Sequence, residues 1–150
     1  MADWRQKAVA AANAGEYDAA LDLMTGGVEF CASDLLLKGK CIQLSRGEKG
    51  RQPEDAAAAF KSALELDPEF VPAMIELGWI YYSVFDDAPE GKKYFERALE
   101  VTRQHAIEAF RGAARCAEDI SGSKGRDEVI RLTSGFVSAD DIDESVVVQS

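Results

Sequence analysis

Apolar residues along this chain recur three and four positions apart from about position 4 to about position 133, the spacing of amphipathic helices. No alternating run of β-branched residues occurs before position 145. The breaks between the apolar runs carry turn chemistry. Pro53 and Pro89 suit first helical positions, with Gln52 and Ala88 ahead of them. Asp86 and Asp87 stand where carboxylates accept from the open amides of a helix start. Pro68 stops a helix, because the residue before a proline is pushed out of the helical region. Gly122-Ser123-Lys124-Gly125 marks the last turn. The expected fold is all-α, with eight helices.

The pattern also repeats. Small residues that open a helical run stand at Ala20, Ala56, Gly91 and Gly125, spaced by 36, 35 and 34 residues. Four positions after each comes a larger apolar residue: Met24, Phe60, Phe95 and Val129. Three further on are Gly27, Ala63, Ala98 and Leu132. An earlier series in each unit pairs Trp4 with Ala8, Leu35 with Gly39, Met74 with Gly78, and Ala109 with Ala113. Each unit is therefore two amphipathic segments with a small residue in each. Antiparallel helices about 8–10 Å apart close only where a side chain is nearly absent.

This spacing resembles the tetratricopeptide repeat, a helix–turn–helix unit of about 34 residues. Leu77-Gly78-Trp79-Ile80-Tyr81 matches its L-G-x2-Y element. Ala56-x3-Phe60-x2-Ala63-x4-Pro68 matches the second half, and Gly15-Glu16-Tyr17-Asp18-Ala19-Ala20 the turn and second-helix start. The resemblance implies an α-solenoid of about four repeats over residues 1–136, followed by an acidic C-terminal tail, 137–150, flexible or docked in a groove. Three places depart from the pattern. The first unit lacks its closing proline and carries Gly26-Gly27. The second has a polar insertion, Ser45 to Gln52, and the fourth has Gly125, Val129 and Leu132 where Ala, Phe and Ala are usual, as a capping unit would.

Charge narrows the functional classes. Seventeen basic and 27 acidic residues leave a net −10, the wrong sign for displacing counterions from nucleic acid or binding an anionic membrane. No apolar stretch is long enough to span a bilayer, and the first residues do not lead into a secretory apolar core. Cys31, Cys41 and Cys116, odd in number and without C-x-x-C spacing, suit a reducing, cytoplasmic setting as small buried hydrophobes.

Catalytic chemistry finds no foothold. His105 is the single histidine, at the expected junction Thr102-Arg103-Gln104-His105, so no catalytic residue, metal ligand set or cofactor is expected. Asp86/Asp87 and Glu118/Asp119 are paired carboxylates at helix ends, suited to the macrodipole. The glycine-bearing segments at 47–51 and 122–126 match no phosphate loop and read as turns.

What remains is a surface. Residues 71–85 carry one charge, Glu76. Met74, Leu77, Gly78 and Tyr81 form the stripe for the partner helix, while Ile75, Trp79 and Tyr82 form a second stripe. The resemblance turns that second stripe toward a concave groove. With it go Arg5, Val9 and Ala12, then Leu36, Lys40 and Gln43, then Phe110, Arg111 and Ala114. The basic clamp that some relatives of this fold use for a C-terminal carboxylate is not matched, since Val9 and Glu76 replace its amide and a cation. The expected role is a protein–protein interaction module, adaptor or co-chaperone-like, taking an apolar peptide or helix of a partner protein. Alternatives are a dedicated chaperone of a bacterial secretion system, or a structural subunit that oligomerises through the aromatic face. The tail holds Asp140, Asp141, Asp143 and Glu144 beside Ile142 and Val146-Val147-Val148, and is itself a candidate groove occupant, within one copy or between two.

Overall fold

A computed structural model of the chain describes residues 3–25, 29–45, 48–138 and 141. Among these it is all-helical, with seven α-helices and one 3-10 turn. In chain order they are α1 (Trp4–Asn13), α2 (Tyr17–Leu23), α3 (Ala32–Leu44), the turn Glu48–Gly50, α4 (Pro53–Leu66), α5 (Val71–Ser83), α6 (Ala88–Ser121) and α7 (Ser123–Thr133).

Most helix ends follow from local chemistry. The Asp3 carboxylate accepts from Arg5 N–H at 3.1 Å and opens α1. At α3, Asp34 accepts the Cys31 N–H at 2.9 Å, and at α4, Asp55 accepts the Gln52 N–H at 2.8 Å. Each is half of a reciprocal capping box. Pro53 is the first residue of α4. α4 ends at Leu66, and Asp67 before Pro68 is extended. Asp87 accepts from Glu90 N–H at 3.0 Å, so α6 begins at Ala88 and Pro89 takes its second position, not its first.

One boundary departs from expectation. α6 is a single 34-residue helix that runs through Thr102-Arg103-Gln104-His105, where the repeat spacing places a junction. That segment contains neither proline nor glycine, so nothing local stops the helix. Seven α-helices therefore stand among the described residues where eight were expected.

The chain divides into two compact units, Met1–Ala98 and Leu99–Ser150. In the first, successive helices pack on one another, α1 on α2, α2 on α3, α3 on α4 and α4 on α5. Its core holds Ala20, Leu21, Leu35, Cys41, Phe60, Ala63, Leu77 and Ile80. Glycine decides the contact of α3 with α4 and that of α5 with the start of α6. A Cβ on Gly39 would stand 2.3 Å from the Phe60 ring, and one on Gly78 would stand 2.7 Å from the Phe95 ring. Each phenyl ring thus lies directly on the neighbouring helix's backbone.

In the second unit the buried apolar set is Ile107, Ala114 and Val137, with Phe110, Val129 and Ile130 packed against it. Ala109 and Ala113, which the repeat pattern assigns to helix contact, are exposed. The sequence-based division at 136/137 falls inside this unit, because Val137 is 5% exposed and belongs to its core. Of the acidic tail, Asp141 is described; Asp140, Ile142, Asp143, Glu144 and Val146–Val148 lie outside the described residues.

Candidate functional site

α5 has two differently used sides. Met74, Leu77, Gly78 and Ile80 are buried, and Tyr81 is half-buried, stacked on Tyr94 of α6 with ring centroids 5.5 Å apart. On the other side Ile75 is 39% exposed, Trp79 53% and Tyr82 55%. These three sit at i, i+4 and i+7, which places them on one helical stripe. Trp79 is held by edge contacts to Tyr82 at 6.1 Å and Phe95 at 5.2 Å. Its indole is ordered by neighbours while half of it meets solvent.

α1, α3 and α5 are linked by ion pairs. Arg5 donates through Nε to both Asp34 carboxylate oxygens, at 3.1 and 3.0 Å, and through Nη2 to the Glu29 carbonyl at 3.1 Å. Lys40 pairs with Glu76 at 3.0 Å. Burial pushes the Asp34 carboxyl up. Hydrogen bonds from the Cys31 backbone and thiol, and then from Arg5, outweigh it and hold the group below the usual carboxylate range. Arg5 and Lys40, both expected on the groove face, are therefore already engaged in ion pairs.

The remaining expected residues are spread more widely. Val9 is exposed on α1, and Leu36 is half-buried against the core of the first unit. Gln43 lines a cleft of about 350 Å³ with Ile42, Arg51, Pro53, Ile80 and Val84. Phe110 and Arg111 belong to the second unit, where Phe110 packs on that unit's core and Arg111 Nε donates to the Asp141 carbonyl at 2.6 Å. Val84, half exposed at the end of α5, is an apolar cleft residue that the helical stripe did not include. Only Cys41 is the buried thiol expected of all three cysteines; Cys31 caps α3 from an exposed position and Cys116 is exposed on α6. Burial pushes the Cys41 thiol up despite the nearby Arg51 charge.

Two further features carry a signal in the chain itself. The polar insertion returns cations to α2, where Arg51 pairs with Asp18, and Lys49 lies 3.8 Å from Asp18 and 3.6 Å from Asp22. Ser138-x-x-Asp141 is a capping-box spacing, and both of its reciprocal bonds form.

Among the described residues no three His, Cys, Asp or Glu side chains converge as a metal site. No protein-family model, no curated protein and no solved structure matches the chain.

Proposed function

We propose that the chain is a binding module and not an enzyme. In this reading it is a tetratricopeptide-like adaptor, co-chaperone-like in kind, that holds an apolar helix or extended segment of a partner protein against α5. The observation that carries the reading is the Ile75–Trp79–Tyr82 stripe, apolar, ordered and substantially exposed on a helix whose opposite side is core. Trp and Tyr are the residues most enriched at binding hot spots. Burying one Leu or Phe of a ligand there contributes about 1.5–3 kcal/mol.

The repeat reading draws support from the twice-used contact of glycine on α3 or α5 with phenylalanine on the following helix. Under it α1/α2, α3/α4 and α5 with the start of α6 are three units. The rest of α6 with α7 is a divergent fourth, and α6 counts as two fused helices in a solenoid of eight. A cytoplasmic setting suits the three cysteines left as thiols. No helix among the described residues is long and apolar enough to cross a membrane.

A structural-subunit role through the same face is the second reading. The Lys40–Glu76 pair favours it, because the two side chains beside the stripe add no net charge to a self-contact.

The test is peptide selection on the full chain, followed by Trp fluorescence titration and pull-down with wild type and a Trp79→Ala/Tyr82→Ala variant. The adaptor reading expects at least about tenfold weaker binding by the variant with unchanged far-UV dichroism. Recovery of the same partners by both proteins overturns it. Sedimentation decides the second reading, which a concentration-independent monomer eliminates.

A further inference from the structure

The second unit carries a small reading head of its own. Arg103, Ile107 and Arg111 lie at i, i+4 and i+8 on α6 and so share one helical face. Beside Ile107, with Ala114, Phe110, Val129 and Ile130, sits an apolar cluster filled by Val137 from the chain that follows α7. Four residues later the Asp141 carboxylate accepts from Arg103 Nη2, at 3.2 Å to one oxygen and 3.0 Å to the other. Its carbonyl accepts from Arg111 Nε at 2.6 Å. Ser138 completes the arrangement. Its N–H and hydroxyl donate to Asp141 Oδ2 at 3.1 and 2.8 Å, and its Oγ accepts the Asp141 N–H at 3.1 Å. The segment thus presents an apolar plug and a carboxylate four positions apart to an apolar residue flanked by two arginines.

We propose that this face of α6 is a recognition site for short acidic segments bearing an apolar residue four positions ahead of a carboxylate. The chain's own Val137, Ser138 and Asp141 are its resident, displaceable occupant. Charge complementarity selects the ligand: Arg103 donates to a carboxylate and repels a base, while Arg111 holds the backbone carbonyl beside it. The resident is held by contacts suited to exchange. Among its described residues it buries the apolar Val137, and its ion pair is open to solvent, with Arg103 46% and Asp141 25% exposed. Such a pair is screened by salt. The site stands on the second unit alone and does not depend on the reading of α5.

The experiment uses full-length protein and a labelled peptide of residues 134–144, followed by fluorescence anisotropy. Asp141→Ala loosens the resident, so the peptide should bind this variant at least about tenfold more tightly than wild type. Adding Arg103→Ala, or replacing the peptide's Asp141 with Asn, should return binding to background. Equal affinity for wild type and Asp141→Ala, or undiminished binding of the carboxamide peptide, overturns the proposal. A second measurement needs no variant. In wild type, about 0.5 M salt, where the Debye length falls to about 4 Å, should speed amide exchange at Val137 and Ser138 relative to Thr133. No difference between the two salt conditions means that the resident is a fixed part of the fold and the proposal fails.

Discussion

In the first unit, Gly39 and Gly78 bring helices together until Phe60 and Phe95 rest on bare backbone. In the second unit, Ala113 holds the place that the sequence spacing aligns with Gly39 and Gly78, yet it is exposed, and Val129 packs near Ile107 and Ala114. Gly125, in the first turn of α7, instead would place a Cβ 2.3 Å from the Ala117 carbonyl oxygen. The difference teaches that what a small residue admits depends on what is delivered opposite it, a ring at Gly39 and Gly78 and helix backbone at Gly125. Delivery depends on the turn between the helices. The first unit has separate helices to pair; in the second, α6 passes the expected junction unbroken and α7 returns through the tight turn at Gly122, whose φ is 65°.

Removing the ring is the strongest way to break this contrast. Phe60→Ala, at a fully buried site, should cost about 3–5 kcal/mol, measured by urea unfolding, with exchange protection lost across α3 and α4. Retained stability would mean that the ring is not the keystone of the first unit. In the second unit Ile107→Ala should cost less, about 2 kcal/mol at the low end for such truncations. Its signature is faster exchange in α7 while α3 to α5 keep their protection. Global unfolding by this variant would merge the two units into one cooperative block.

Gly78→Ala sharpens the comparison at the level of one methyl group. The new Cβ meets the Phe95 ring at 2.7 Å, so overpacking of about 1–3 kcal/mol is set against about 1 kcal/mol gained in helix propensity. A net loss with altered near-UV dichroism of Trp79 is expected, whereas Gly112→Ala, with nothing within 4 Å, should stabilise. Asp34→Asn should cost about 1 kcal/mol at neutral pH, because the amide keeps an acceptor oxygen but loses the charge that strengthens its bonds from Arg5 and the Cys31 N–H. The folded carboxyl is held below its ordinary value, so its contribution is complete above about pH 4 and is lost as pH falls through the depressed folded value. The penalty of the substitution should therefore shrink in acid, and a penalty that stays constant refutes the assignment. Smallest is Lys40→Ala. Its pair with Glu76 is 46% and 24% exposed, so the change should stay within about 0.5 kcal/mol in thermal unfolding.

Much of the helical order was legible because single residues enforce it. Pro53, Pro68, Asp87 and Gly122 act within one turn of themselves, so their effects need no knowledge of the fold. The α5 stripe was legible for the same reason, since helical spacing alone puts Ile75, Trp79 and Tyr82 together. The contacts between helices were not. Arg5 meets Asp34 across 29 positions and Lys40 meets Glu76 from a different helix, so two cations expected on the groove face are held in ion pairs. The continuity of α6 was available in Thr102-Arg103-Gln104-His105, which contains no breaker, but the repeat period outweighed that local reading. Phe110 and Arg111 were grouped with α5 by the same period, whereas their contacts lie in the second unit.

The two glycine–phenylalanine contacts also act as a gauge that sets the spacing of a helix pair independently of the loop joining it. The connection from α3 to α4 is free to lengthen for that reason, since the register of the pair is fixed at Gly39 and Phe60 and not at the loop ends. New sequence grafted between Ser45 and Gln52 should leave the helical scaffold in place, making this loop the natural point at which to vary the protein's surface without rebuilding its interior.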